Sequence, residues 1–134
     1  MRLLRGRASL LAGLLGSLAA CGGDGTGPEP ATPGRLSVRL TTPSSDDGAV
    51  LFDVSGGPID SVVAAGYRLR ATGPGTSPRR AVVSGSLASG AVASIWVPDV
   101  KLVSSYTAIV RDVAARNTYA LRDLQGYRMD VIRP

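Results

Sequence analysis

From Arg35 onward, apolar and polar residues alternate along much of the chain. Leu36, Val38 and Leu40 are separated by arginine, serine and threonine. Successive side chains of a β-strand point to opposite faces, so this pattern predicts a strand over 35–41 that is buried on one face. Similar patterns predict seven further strands, over 49–55, 59–64, 67–71, 80–87, 91–97, 105–113 and 126–132.

Glycine, proline, aspartate or serine stands at nearly every junction between these segments. About eight short strands divided by turn-forming residues are typical of an all-β protein, and we predict an antiparallel β-sandwich. A parallel α/β fold would need long amphipathic helices between its strands, and the pattern shows none. The one helical candidate is 114–124, which we predict as the end of a strand plus one helical turn, with Tyr119, Leu121 and Leu124 turned inward.

The first twenty residues have a different organisation. Arg2, Arg5 and Arg7 precede an apolar stretch, 8–20, that is short for a membrane span and ends in small residues. This order is typical of a secretory signal peptide. The segment Leu18-Ala19-Ala20-Cys21 resembles the lipobox of bacterial lipoproteins.

The lipobox resemblance implies that residues 1–20 are a lipoprotein signal peptide that is removed, and that Cys21 receives acyl chains. The alternative is an ordinary signal peptide followed by a chance cysteine, but an exported lone cysteine has no disulfide partner. Gly22, in place of aspartate, resembles the outer-membrane sorting pattern of diderm bacteria. We therefore expect an exported chain that is anchored to the cell envelope through Cys21.

Residues 21–34 follow as the lipidated cysteine and a linker rich in glycine and proline. Such a composition cannot bury a core, so we predict a disordered tether before a sandwich domain at 35–134. The net charge of +5 falls to +2 once residues 1–20 are removed, because they hold three arginines and no acid. We therefore expect no nucleic-acid partner, and we interpret Arg79-Arg80 as a solvated strand end.

Segments 48–56 and 89–99, the second of which ends in Val97-Pro98-Asp99, resemble the β-segments of cohesin-like domains. The stretch 36–133 also resembles small exported bacterial lipoproteins that have no assigned function. The resemblance implies a cohesin-like, immunoglobulin-like sandwich that binds another extracellular module. It transfers no set of binding residues to this chain.

The residue inventory excludes most catalytic chemistry. Histidine is absent and cysteine occurs once, so no Ser-His-Asp triad, Cys-His pair or histidine-ligated metal can be built. Almost every acid is expected at a turn or an outward strand position, which leaves a hydrolase based on aspartate as a minor alternative. Asp46 and Asp47, joined by Asp53 or Asp99, are candidates for a weak calcium site, although local turn capping explains them as well. We predict no catalytic residue, no metal and no cofactor.

Trp96 is the candidate binding residue. Ala91, Ala93, Ile95 and Val97 form the more continuous apolar face of their strand, so Val92, Ser94 and Trp96 are predicted to face outward. An exposed indole can stack on a sugar or anchor a protein, whereas a core indole would only pack. Tyr106 and Tyr127 are expected to seal the ends of the sandwich.

These observations predict a non-enzymatic, lipid-anchored module of the cell envelope, with a binding or structural role. Its partners would be the membrane, through Cys21, and an envelope protein or glycan. The alternative is a carbohydrate-binding or adhesin-type accessory domain that uses Trp96 and nearby tyrosines.

Overall fold

The computed structural model describes residues 27–134 and confirms the predicted all-β sandwich. Within this range, eight strands and one short 3₁₀ helix, Val100–Ser105, follow one another along the chain. The strands are β1 (Gly34–Thr41), β2 (Asp47–Ser55), β3 (Ser61–Ala64), β4 (Arg68–Ala71), β5 (Arg79–Leu87), β6 (Gly90–Val97), β7 (Thr107–Ala115) and β8 (Arg128–Ile132).

The strands form two four-stranded sheets. Sheet A has the order β3-β6-β1-β8 and sheet B has the order β4-β5-β2-β7, and every neighbouring pair is antiparallel. The core lies between the sheets, where Leu36, Val38 and Leu40 of sheet A and Val50, Phe52 and Val54 of sheet B are buried. Each sheet therefore keeps one face outside the core.

A β-bulge interrupts the alternation of β6. Val38 of β1 pairs with Ala93, whereas the next residue, Arg39, pairs with Ala91, so Val92 is an extra residue in the ladder. As a result Val92 and Ala93 are both buried and Ala91 is exposed. The predicted positions of Ala91 inside and Val92 outside are therefore wrong.

The segment between β7 and β8 contains the predicted single turn, but its side chains do not point as predicted. The Tyr119 N–H donates to the Ala115 carbonyl oxygen at 3.0 Å, which closes one helical turn at the end of β7, and the Arg122 N–H then donates to the Val113 carbonyl oxygen at 2.8 Å. Tyr119 has a left-handed φ of 56°, which breaks any helix at that residue. Tyr119, Leu121 and Leu124 are exposed rather than turned inward.

Among residues 27–134, three charged side chains are buried, contrary to the expectation of solvated acids and a solvated Arg79-Arg80 pair. Asp47 is buried at the start of β2, and Asp53 is buried further along the same strand. Arg79 projects between the sheets, where its Nη1 donates to the Ile59 carbonyl oxygen at 2.9 Å. Arg80 alone of this pair remains about half exposed.

The end of the predicted tether contacts the sandwich. Thr32 N–H donates to an Asp99 carboxylate oxygen at 3.2 Å, and the Thr32 carbonyl oxygen accepts from the Val100 N–H at 2.8 Å. Lys101 forms an ion pair with Glu29 at 2.8 Å and donates to the Pro30 carbonyl oxygen. Residues 29–32 are thereby held against the 3₁₀ helix, so contact with the domain begins before Arg35.

Candidate binding surface on sheet A

The structure confirms the predicted orientation of Trp96. Ile95 and Val97 are buried in the core, and the intervening Trp96 is 40% exposed on the outer face of sheet A. The bulge at Val92 lies before these residues in β6. Side chains therefore alternate regularly from Ala93 to Val97, and this alternation places the indole outside the core.

Arg35 and Ser61 are the direct cross-strand neighbours of Trp96. Trp96 pairs with Arg35 of β1 on one side and with Ser61 of β3 on the other. The Arg35 guanidinium carbon lies 5.3 Å from the centre of the indole, which is cation–π geometry. One face of the indole is therefore occupied by a cation of the same sheet.

The next row across the sheet combines small hydroxyl residues with exposed apolar ones. Ser94 pairs with Ser37 and Val63, and Ser37 pairs in turn with Ile132 at the edge strand. Val63 is 48% exposed and Ile132 is 37% exposed. We call this area the Trp96 surface, and its residues are Arg35, Ser37, Ser61, Val63, Ser94, Trp96 and Ile132.

The tyrosines do not extend this surface into an aromatic row. Tyr106 is buried and its hydroxyl donates to the Pro58 carbonyl oxygen at 2.7 Å, as predicted for a residue that seals the sandwich. The Tyr127 hydroxyl donates to Asp47 at 2.8 Å, so it reaches a carboxylate instead of water or a carbonyl. Tyr119 lies in the segment after β7, and Tyr67 packs against the core.

The candidate calcium ligands are not brought together as a set. Asp46 and Asp47 both lie beside Arg122, and Asp47 also accepts a hydrogen bond from the Thr42 hydroxyl. Asp53 is six residues further along β2, about 20 Å away at the rise of a strand. Asp99 caps the 3₁₀ helix. Within residues 27–134, no group of three metal-ligating side chains is found.

Two carboxyl groups in the described part of the chain, those of Asp53 and Asp99, have a lowered pKa. The side chain of Arg80, followed by that of Arg111, holds the pKa of Asp53 below its ordinary value. Backbone N–H groups of Lys101 and Thr32 lower the pKa of Asp99. A catalytic general acid needs a raised pKa, so neither residue is suited to that role at neutral pH.

The proposed anchor, Cys21, lies outside the described residues. In the part of the chain that the structure covers, no helix is long and apolar enough to cross a membrane. Comparisons of the chain with models of protein families, with curated proteins and with solved structures found no match.

Proposed function

We propose that this chain is a non-enzymatic, lipid-anchored binding module of the cell envelope that docks a protein partner through the Trp96 surface. The observation that carries the proposal is the exposed Trp96–Arg35 pair on a sheet face outside the core. Tryptophan and arginine are among the residue types that contribute most to protein–protein interfaces. The anchoring part of the proposal is supported by the signal-peptide pattern and by Cys21.

The surroundings of the indole favour a protein over a glycan. A sugar that stacks on an indole needs a free ring face, and Arg35 covers one of the two. Val63 and Ile132 add apolar area on either side of the serine row, which suits apolar side chains of a partner. An exposed cluster of this kind, centred on one aromatic residue, is typical of a small protein-binding site.

A carbohydrate ligand is the second candidate. The serine hydroxyls of residues 37, 61 and 94 surround the indole, and hydroxyl groups beside an exposed aromatic ring can bind sugars. This alternative needs only the ring face that Arg35 leaves open. The two candidates differ in the effect of added oligosaccharide, which should displace a glycan ligand but not a protein partner.

The test is site-specific photo-crosslinking in intact cells that express the full chain. A photoreactive residue at Val63 should capture one envelope protein, and Trp96→Ala should abolish that product. Tyr119→Ala is the matched control, because Tyr119 is also an exposed aromatic residue and lies outside the Trp96 surface.

The outcome separates the two candidates. A product that survives excess envelope oligosaccharide and depends on Trp96 supports protein docking. Release of the partner by oligosaccharide would favour the carbohydrate alternative. Equal crosslinking in the Trp96→Ala and Tyr119→Ala variants would contradict binding at the Trp96 surface.

A further inference from the structure

The outer face of sheet B carries four arginines. Arg68 and Arg70 extend from β4, Arg80 from β5 and Arg111 from β7, and all four are exposed. Their neighbours Leu69, Ala81 and Val110 pack toward the core, so the arginines lie on the opposite side of the sheet. We call this area the arginine face. Asp53 and Asp112 are the acids on it, so its net charge is +2.

A buried carboxylate positions two of these arginines. Asp53 is 3% exposed and accepts from Arg80 Nε at 2.8 Å, from Arg80 Nη2 at 3.0 Å and from Arg111 Nε at 2.9 Å. One negative charge therefore orients two guanidinium groups, whose side chains remain about half exposed. Within residues 27–134, Nη1 of Arg80 and both Nη atoms of Arg111 have no hydrogen-bond partner and stay available as donors.

A shallow depression lies between Arg70 and Arg80. It has a volume of about 250 Å³, and Leu51 and Val82 contribute apolar lining. A second depression, of about 480 Å³, shares Arg70 and Val82 and continues to Arg68. The two depressions therefore place apolar surface between the guanidinium groups of Arg68, Arg70 and Arg80.

We propose that the arginine face is a binding site for a phosphate group, with Arg70 and Arg80 as its direct donors. Guanidinium groups bind phosphate through paired N–H donors, and Asp53 fixes the direction of one of these groups before the ligand arrives. Arg111 adds positive charge from the far side of Asp53, and Asp112 offsets one charge. The site lies on the sheet opposite to the Trp96 surface and does not depend on its function.

Two kinds of ligand carry such a phosphate group: free phosphate, and an anionic lipid with a phosphodiester headgroup. The experiment uses the full chain in a maltoside detergent, which contains no phosphate. Nitrogen-15 NMR follows the arginine Nε–H signals while inorganic phosphate is added in one arm and glycerophosphoglycerol in the other. Saturation in the first arm alone assigns the site to free phosphate, and tighter binding in the second assigns it to a lipid headgroup.

The expected result is saturable shifts of the Arg70 and Arg80 signals, with a Kd below about 10 mM. Arg70→Gln should weaken binding about tenfold, because it removes one charge-assisted donor. Arg39→Gln is the matched control, since Arg39 is an exposed arginine of sheet A and its loss changes the net charge equally. Equal weakening in both variants, or shifts spread over all arginines, would overturn the proposal, as would the absence of saturation in both arms.

Discussion

At the scale of single residues, Asp53 makes the stability of the molecule depend on acid pH. Its pKa is lowered in the folded state, chiefly by Arg80, relative to an ordinary value of 3.8. A lowered pKa means that the ionised carboxylate stabilises the fold above pH 4 and that this contribution disappears as the pH falls through the folded pKa. Asp99 acts in the same direction.

Asp53→Asn should therefore flatten, but not abolish, the loss of stability below pH 4. At neutral pH the variant should lose on the order of 1 kcal/mol, because hydrogen bonds to a charged group are replaced by weaker ones and solvent screens the half-exposed arginine partners. Urea unfolding of both proteins at a series of pH values measures this. An unchanged slope below pH 4 would show that the Asp53 carboxylate does not contribute.

Trp96 offers a direct optical test, because it is the only tryptophan of the chain. Its 40% exposure predicts red-shifted emission and ready quenching by a neutral quencher in the folded state. Trp96→Ala should cost well under the roughly 3–5 kcal/mol of a buried aromatic deletion. Blue-shifted, unquenched emission of the full chain would mean that the indole is covered.

At the scale of elements, alternation located every strand to within two residues at each end. It succeeded because each strand has one apolar face, as Leu36, Val38 and Leu40 show in β1. It failed where the chain leaves strict pairing, at the bulge before Ala93 and after Ala115. A bulge is a property of two paired strands, so the sequence of β6 alone does not contain it.

The candidate site residues also differ in how far the sequence predicts them. Trp96 was predictable because its exposure follows from neighbours within one strand. The contacts of Asp53 were not, since Arg80 and Arg111 are 27 and 58 residues away and reach it only through the register of three strands. The sequence near Asp53 shows only an acid between apolar residues of a strand. That pattern is equally typical of an outward, solvated position.

The bulge of β6 leads to a prediction that simple alternation would reverse. Val92→Ala should destabilise the protein by about 1.5–3 kcal/mol, since it removes buried apolar area from a fully buried side chain. Val63→Ala, the same change at a 48% exposed position of sheet A, is the matched control and should cost little. Comparable losses of unfolding free energy in both variants would argue against the bulged register.

At the scale of the whole molecule, the proposed anchor is tested by changing Cys21. Cys21→Ser should move the protein from the membrane fraction to the soluble fraction and block processing at residue 21, because only a thiol accepts the lipid thioether. Mass spectrometry of the protein without the substitution should show a lipidated Cys21 as the first residue. A Cys21→Ser protein that is processed normally and stays with the membrane would contradict the proposal.

The strand order of sheet A has a consequence for biosynthesis. β1 lies between β6 and β8, and Val38 pairs with Val131 across 93 residues of sequence. Sheet A is therefore incomplete until β8 has left the ribosome, and closure of such distant contacts is slow. Until β8 emerges, β1 has one edge without its partner strand, and an unpaired strand edge is a place where a nascent chain can associate with another chain.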